Sequence, residues 1–268
     1  MHASIEKLFS LEGRTAIVTG GARGLGAGMA RGLGGAGAKV VVADICEEKD
    51  ASQVMGELKS MGVEAAFART DVSNFESVEK MTAKTLSLFG RVDILINNAG
   101  IGIVGPALKV DEDLWNNTLN VNLKGVRQCC QSVGRHMVAQ KYGRIVNIAS
   151  YWASTGNPGG LAYSASKAGV AAMTRVLAVE WGPFNVTVNA IAPGYIRTEM
   201  NRWITGNPRI HSYLTDRIPL GHRLGEIDEL MGITILLSSD ACSHITGTLI
   251  PVDGGIIIQG GQADWFTS

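Results

Sequence analysis

The sequence predicts an α/β fold, a doubly wound parallel sheet of about seven strands with helices on both faces (a Rossmann fold). Short β-branched runs alternate with longer stretches of helical periodicity along most of the chain, which is the pattern of repeated strand–helix–strand units. The predicted strands are apolar on both faces, as expected when helices cover both sides of the sheet. A glycine-rich turn follows the first strand, at the edge where such sheets bind ligands.

The elements follow from these runs in order. The predicted strands cover residues 15–18, 39–43, 63–68, 92–96, 144–148, 186–191 and about 248–251. The predicted helices cover residues from the glycine-rich turn to 35, then about 47–61, 75–89, 111–140, 162–181 and 226–237. The pattern weakens over residues 196–220, where polar residues mix with Met200, Trp203 and Tyr213. A segment of this kind is a candidate substrate lid.

Composition favours one domain over residues 1–268. The chain has 268 residues, 46% of them hydrophobic, so it can bury a sizeable core. Its formal net charge is +0, so no overall field favours nucleic acid or an anionic membrane. We therefore expect a small-molecule ligand that is held by local chemistry, with no nucleic acid and no membrane as partner.

The termini and cysteines predict a cytoplasmic protein without a metal. No stretch approaches the roughly 20 apolar residues of a membrane span, and residues 1–11 lack the apolar run of a signal peptide. Cys46, Cys129, Cys130 and Cys242 show neither zinc-site spacing nor the density of a disulfide scaffold. We expect all four to be reduced and to serve packing.

The glycine-rich turn predicts a dinucleotide site. Gly20, Gly24 and Gly26 lie between the first strand and the first helix, where backbone N–H groups at a helix N-terminus can hold a pyrophosphate. A glycine-rich stretch alone would fit an ordinary turn, but its place in the strand–turn–helix unit favours the cofactor. Asp44 ends the second strand, where its carboxylate can accept from the adenosine ribose hydroxyls.

Tyr163 and Lys167 form the candidate reactive pair. They lie four residues apart near the start of a predicted helix, so they project from one face. A free phenol has a pKa of about 10, and lowering it to near neutrality requires about 4 kcal/mol. A cation about 4 Å away at an effective dielectric constant of about 20 supplies that amount. Ser150 follows the strand over residues 144–148 and can hold a substrate oxygen beside the phenol.

Jointly, these motifs resemble the successive motifs of short-chain dehydrogenases/reductases, in family order and over nearly the whole chain. The matching residues are Thr19 to Gly26, Asn97-Asn98-Ala99-Gly100, Asn122, Ser150, Tyr163 with Lys167, and Pro193-Gly194. The start of the chain near Phe9 to Gly13 and the region around Tyr195 are similar to the branch containing gluconate 5-dehydrogenase and 2-deoxygluconate 3-dehydrogenase.

The resemblance implies roles for individual residues. The catalytic tetrad would be Asn122, Ser150, Tyr163 and Lys167, with Asn122 anchoring a water-linked proton relay. The cofactor-binding residues would be Gly20, Arg23, Gly24, Leu25, Gly26, Asp44, Ile45, Asp71, Val72, Asn98, Ala99, Gly100, Tyr163, Lys167, Pro193, Gly194, Ile196 and Thr198. The resemblance also implies a homo-oligomer, which we expect to be a tetramer.

We expect an oxidoreductase that transfers a hydride between NAD(H) and a secondary alcohol or ketone, whether a sugar acid, a polyol or a cyclic alcohol. The alternative is an NADPH-dependent ketoreductase such as a 3-oxoacyl carrier reductase, because Arg23 can pair with a 2′-phosphate; Asp44 argues against it. A catalytically silent cofactor-binding scaffold is a third possibility, since fold does not fix function. The candidate substrate residues are Ser150, Tyr151, Trp152, Asn157, Tyr163, Tyr195, Met200 and Trp203.

Overall fold

A single parallel sheet of seven strands organises the protein, in the order β3-β2-β1-β4-β5-β6-β7. The structure is a computed structural model that describes residues 3–259, apart from the side chains of Met200 and Trp203. The strands are β1 (Thr15–Thr19), β2 (Lys39–Asp44), β3 (Ala65–Arg69), β4 (Ile94–Asn97), β5 (Gly143–Ile148), β6 (Val186–Pro193) and β7 (Leu249–Val252). The chain order reverses between β1 and β4, which are hydrogen-bonded neighbours. This confirms the predicted doubly wound sheet.

The helices are ten in the described part of the chain, besides several single turns. They are α1 (Ala3–Phe9), α2 (Gly24–Gly35), α3 (Ser52–Ser60), α4 (Phe75–Phe89), α5 (Glu112–Leu119), α6 (Gly125–Gln140), α7 (Leu161–Trp181), α8 (Arg202–Thr205), α9 (Pro208–Thr215) and α10 (Met231–Ser238). None of the helices in this part of the chain is both long and apolar enough to span a membrane.

Two apolar clusters, one on each side of the sheet, form the core. Alternate strand residues supply them: Val40 and Val42 pack with α2 and α3 on one side, whereas Val41 packs with α4 and α6 on the other. A strand whose successive side chains are all buried must be apolar throughout, which is why β2 reads as a continuous Val-rich run. The carboxyl ends of the strands then form a common edge with helices on either side.

The structure differs from the sequence-based expectation in two places. The predicted helix over residues 111–140 is interrupted by a π-turn at Asn120–Lys124, between α5 and α6. Periodicity cannot locate such a turn, because one extra residue per turn changes the apolar pattern only slightly. Helix α1 was not predicted, since it buries no residue in the chain and so carries little apolar signal.

The predicted lid segment is partly helical. Residues 196–220 contain a single turn at Glu199–Asn201, then α8 and α9. Asn207 begins α9, since its side chain accepts from the backbone N–H groups of Arg209 and Ile210. A small apolar cluster of Ile204, Leu214, Ile218 and Leu224 holds the segment together.

Candidate active site

A cavity of about 400 Å³ opens along the carboxyl edge of the sheet, across the point where the strand order reverses. One end is lined by the turn after β1, and the other by Ser150 and Tyr163. Open α/β sheets bind ligands in this crevice, because loops leaving adjacent strands in opposite directions separate there. The cavity therefore joins the predicted phosphate-binding turn to the predicted reactive residues.

The glycine-rich turn has the geometry that a pyrophosphate needs. Gly20 and Gly24 have φ values of 62° and 56°, in the left-handed region that favours glycine. A Cβ atom at Gly26 would overlap the carbonyl oxygen of Gly20, so only glycine permits this approach of turn and helix. The turn thus leads directly into the N-terminus of α2, whose first N–H groups are free to bind an anion.

Asp44 lies beside the glycine-rich turn, at the end of the cavity opposite Ser150 and Tyr163. Its Oδ2 accepts from the backbone N–H of Ala22 at 3.0 Å, and its Oδ1 accepts from the backbone N–H of Cys46 at 3.3 Å. These two bonds fix the carboxylate beside the turn, and each oxygen keeps further acceptor capacity. Arg23 and Ile45 also line this end, so the donor and acceptor set fits an adenosine ribose.

Asn98 ties the two sides of the crevice together. Its Nδ2 donates to the carbonyl oxygens of Thr19 and Gly20, each at 3.0 Å, and its backbone N–H donates to Thr19 Oγ1 at 3.0 Å. These three bonds hold the end of β4 against the turn after β1. Asn98 therefore shapes the floor of the crevice as well as lining it.

Ser150, Tyr163 and Lys167 meet at the other end of the cavity. Ser150 follows β5, and its Oγ accepts from the backbone N–H of Trp152 at 3.2 Å, while its hydroxyl proton can be donated towards the Tyr163 phenol. Tyr163 lies in the first turn of α7. Lys167 lies one turn further on, with its Nζ 5.7 Å from the Tyr163 ring centroid. The sequence-predicted reactive residues are thus brought together.

The electrostatics of this end differ from the sequence-based expectation. Burial raises the pKa of Tyr163, and the Ser150 hydroxyl only partly opposes that rise. Burial also lowers the pKa of Lys167 to about 8. The Lys167 ammonium donates to the carbonyl oxygen of Ile148 at 2.7 Å. In the protein alone, desolvation therefore outweighs the attraction that was expected to make the phenol acidic.

Asn122 is fully buried in the π-turn and braces the reactive residues. Its Oδ1 accepts from the backbone N–H of Ile101 at 2.8 Å, and its Nδ2 donates to the Ile101 carbonyl oxygen at 2.9 Å. The same Nδ2 lies 3.2 Å from Ser166 Oγ, which donates to the Tyr163 carbonyl oxygen at 2.7 Å. The side chain thus connects the loop after β4 with the first turn of α7.

The structure brings most of the predicted residues to one cavity. Of the predicted cofactor residues, all but Gly26 line it, and Gly26 acts through the close approach described above. Asn122 lies behind the cavity wall. Asn157 lies outside the lining, where its Nδ2 donates to Thr155 Oγ1 at 2.7 Å. The side chains of Met200 and Trp203 lie outside the described residues.

Several lining residues were not predicted from the sequence. They are Thr70, Ile101, Gly102, Val104, Val121, Ile148, Ala149, Glu199 and Asn201. Most are apolar or small residues in loops, with no chemical signature of their own. Two of them could have been predicted from their neighbours. Thr70 directly precedes the predicted residues Asp71 and Val72, and Ile101 directly follows the predicted run from Asn98 to Gly100. Among the described residues, no group of three or more His, Cys, Asp or Glu side chains could hold a metal ion.

Comparison with known proteins identifies the family. A family model described as enoyl-(acyl carrier protein) reductase matches residues 20–257. A curated relative from Thauera aromatica, the BbsD subunit of (2S)-[(R)-hydroxy(phenyl)methyl]succinyl-CoA dehydrogenase, is 42% identical over 91% of this chain and 97% of its own. The 2-dehydro-3-deoxy-D-gluconate 5-dehydrogenase of Escherichia coli K12 is 37% identical over 92% of this chain and 96% of its own.

A solved structure agrees with these relatives. The gluconate 5-dehydrogenase of Burkholderia cenocepacia J2315, in complex with NADP and tartrate, superposes with a TM-score of 0.90 at 36% identity, covering 94% of this chain and 98% of that one. The fold, the glycine-rich turn and the reactive residues agree with the resemblance seen in the sequence. The chain belongs to the short-chain dehydrogenase/reductase family and is an oxidoreductase that acts on alcohol or ketone groups with a nicotinamide cofactor.

Proposed function

We propose that the chain is an NAD-dependent dehydrogenase that interconverts a secondary alcohol and its ketone, with Tyr163 as the catalytic acid and base. The observation that carries this proposal is the convergence of Ser150, Tyr163 and Lys167 at one end of a cavity whose other end holds the glycine-rich turn and Asp44. The fit of the turn and of the Asp44 carboxylate to a dinucleotide supports the cofactor.

The proposed chemistry divides between the cofactor and the chain. The hydride acceptor or donor is supplied by the bound nicotinamide ring. Tyr163 takes the hydroxyl proton during oxidation and returns it during reduction. Ser150 donates its hydroxyl proton to the substrate oxygen, and Lys167 supplies positive charge that favours the ionised phenol. Asn122 holds the loop after β4 and the start of α7 in register, which supports its place in the proposed tetrad.

The proposed preference for NAD over NADP depends on Asp44. Its carboxylate would accept from the ribose hydroxyls of NAD, but it would face a 2′-phosphate with the same sign of charge. Arg23 lines the same end and pulls the other way. Ile45 follows Asp44, so no guanidinium stands at that neighbouring position to offset the repulsion. Because the structure of a relative contains NADP, both cofactors are compared in the assay below.

The relatives are named for different classes of substrate. One is named for a phenyl-bearing CoA compound and others for sugar acids. We propose a secondary alcohol or ketone and keep sugar acids, polyols and cyclic alcohols as the classes to be screened. The NADPH-dependent alternative has Arg23 in its favour and Asp44 against it.

We further propose that residues 1–268 form one domain, with residues 196–220 as a substrate lid, and that the protein is a cytoplasmic homotetramer. Four free cysteines support a reducing compartment. Val176 and Val179 on α7 are 54% and 79% exposed in the single chain, which supports a subunit interface on that helix.

One screen tests the proposed function. The purified protein is assayed with NAD and with NADP against sugar acids, polyols and cyclic alcohols, and in the reverse direction against the matching ketones. We expect turnover of at least one alcohol–ketone pair, with NAD the better cofactor. Tight NAD binding without turnover of any member of the panel would instead indicate a cofactor-binding scaffold.

A further inference from the structure

Aromatic side chains form a continuous wall at the reactive end of the cavity. The Trp152 and Tyr163 rings meet edge to face, with centroids 5.6 Å apart and planes at 85°. Tyr151 contacts Trp152 at 6.3 Å and Tyr195 at 5.5 Å in the same manner. All four residues line the cavity. Such a wall presents flat apolar surface directly beside the candidate acid and base.

The other surfaces at this end are also poor in free polar groups. Ile101, Gly102 and Val104 line the cavity from the loop after β4. Asn201 is also in the lining, but its Nδ2 donates to the Ile196 carbonyl oxygen at 2.9 Å. A sugar acid carries a hydroxyl on nearly every carbon, and each hydroxyl that loses water needs a new partner. Besides Ser150 and Tyr163, the polar groups that the described lining offers at this end are the hydroxyls of Tyr151, Tyr195 and Thr198 and the Glu199 carboxylate.

The distribution of charged side chains also disfavours a carboxylate substrate at this end. Among the described residues that line the cavity, the cations are Arg23 and Lys167. Arg23 belongs to the opposite end, and the Lys167 ammonium is already bonded to the Ile148 carbonyl oxygen. Among the described residues, the cation nearest to a substrate carboxylate would therefore be Lys167, whose ammonium already bonds to the Ile148 carbonyl oxygen and is proposed to act on the phenol.

The lid adds a negative charge at this end. Glu199 lines the cavity, and its Oε1 accepts from Arg202 Nη2 at 2.5 Å. Arg202 itself is not among the lining residues, and its guanidinium is held by that carboxylate. A bound carboxylate would have to displace Glu199 from Arg202 or face it as a like charge, but since the Arg202 and Glu199 side chains are 74% and 65% exposed, solvent keeps this effect small.

We propose that the reactive end takes an uncharged ring that carries the secondary alcohol or ketone, and that it discriminates against sugar acids and other carboxylates. This inference rests on the proposed function. In the oxidation, the carbinol C–H bond breaks and its hydride passes to the oxidised nicotinamide. The O–H proton passes to Tyr163, and the C–O bond becomes a carbonyl. The ring is oxidised by two electrons while the cofactor is reduced by two.

A matched substrate pair tests the effect of the charge. In 4-hydroxycyclohexanecarboxamide and 4-hydroxycyclohexanecarboxylate the ring and the carbinol are the same and the substituents are similar in size, but the amide is neutral and has two N–H donors where the carboxylate is charged and only accepts. We expect kcat/KM with NAD to be at least about tenfold higher for the amide. Glu199→Gln should narrow the gap by about threefold, because it removes the like charge. Glu64→Gln, which alters an exposed carboxylate paired with Lys39, should leave the ratio unchanged.

A binding measurement provides a readout apart from turnover. Cyclohexanecarboxamide and cyclohexanecarboxylate lack a carbinol, so calorimetry on the NADH-bound protein measures binding alone. We expect the amide to bind at least about tenfold more tightly. Trp152→Ala should weaken amide binding, and Trp152→Phe should largely restore it, since a phenyl ring keeps the flat surface.

The two experiments separate this inference from the proposed function. A carboxylate that is turned over and bound as well as its amide overturns the inference and leaves the dehydrogenase intact. If no alcohol or ketone is turned over while the amide still binds more tightly, the proposed function fails and the inference about the site stands. Unchanged amide binding in Trp152→Ala would show that the aromatic wall does not hold the ring and would overturn the inference.

Discussion

The Nζ of Lys167 donates to the carbonyl oxygen of Ile148 at 2.7 Å inside a site where the lysine is only 4% exposed. The ammonium is thus held by a neutral acceptor, and burial lowers its pKa to about 8. Holding a charge in this position costs stability. The proposed role of the residue and the stability of the fold are therefore opposed.

Replacing Lys167 by Met should stabilise the protein at pH 7 and abolish most turnover. A pKa lowered from 10.5 to about 8 means that burying the charged lysine costs the folded state about 3 kcal/mol, which the substitution removes. The variant also loses the hydrogen bond to Ile148, which reduces the gain in stability by about 1 kcal/mol. We expect a net gain of about 2 kcal/mol in the free energy of unfolding, measured with urea.

The pH dependence of this gain checks its cause. Below pH 8 the lysine is charged in both states, so the cost is complete. Between pH 8 and 10.5 the folded protein releases the proton while the unfolded chain keeps it, so the stability of the wild type rises and the advantage of Lys167→Met shrinks. Lys80→Met, which alters a lysine 74% exposed on α4, serves as the control. A gain that is the same at pH 7 and pH 10 would contradict this account.

Tyr163→Phe should reduce turnover by about 10²- to 10⁴-fold and leave NAD binding largely unchanged, because it removes the transferable proton but keeps the ring. Rates and NAD dissociation constants are measured together. Tyr142→Phe is the matched control, since Tyr142 lies outside the cavity lining and its hydroxyl donates to Asp240 Oδ1 at 3.0 Å. If Tyr163→Phe kept more than about a tenth of the wild-type rate, another group would be the acid and base.

Cofactor selectivity should shift in the double variant Asp44→Ala with Ile45→Arg. The change removes a repelling carboxylate and adds a phosphate donor beside Arg23. We expect the wild type to favour NAD at least about tenfold in kcat/KM and the variant to move towards NADP, with dissociation constants following the same order.

The two hydrogen bonds that Asp44 accepts complicate that substitution. Because Ala22 N–H and Cys46 N–H both bond to the carboxylate, alanine also loosens the turn. Asp44→Asn removes the charge but keeps an acceptor, so it separates electrostatics from the anchoring of the turn. Full retention of NAD selectivity in the double variant would mean that another residue reads the ribose.

The assembly should depend on the exposed face of α7. Val179 is 79% exposed in the single chain, and a subunit interface on α7 would bury it. We expect the wild type to scatter light as a tetramer at micromolar concentration and Val179→Asp to dissociate into smaller species, because a charge would be buried at the contact. Leu88→Asp on α4, where the leucine is 51% exposed, should keep the wild-type mass. If the wild type scattered light as a monomer, the proposal of a homotetramer would be wrong.

The fold predicted from the sequence is confirmed by the strand order of the sheet. Ser150, Tyr163 and Lys167 line one cavity, as expected from their places in the chain, and their catalytic roles stay predictions. The β-branched runs of β1 and β2 are apolar throughout, as strands buried on both faces must be. Gly20 and Gly24 adopt positive φ values, and a Cβ atom at Gly26 would overlap the Gly20 carbonyl oxygen. Strand order and family motifs then bring Ser150 to Tyr163.

What the sequence did not predict depends on the environment. The direction of the pKa shift of Tyr163 follows from its burial, which no spacing of residues reveals. Asn157 lies near the predicted pocket in the chain but bonds to Thr155 outside the lining. The position of Glu199 in the cavity lining depends on how residues 196–220 pack, and the weak periodicity of that segment contains no such information.

The bonds from Asn98 to Thr19 and Gly20 have a mechanical consequence. They tie the end of β4 to the turn after β1, and the close approach of Gly26 to Gly20 fixes the start of α2 at the same point. The sheet cannot spread there without breaking several short contacts at once. We therefore expect this side of the crevice to keep its shape when a ligand binds or leaves, because separating β4 from the turn after β1 would break these bonds together.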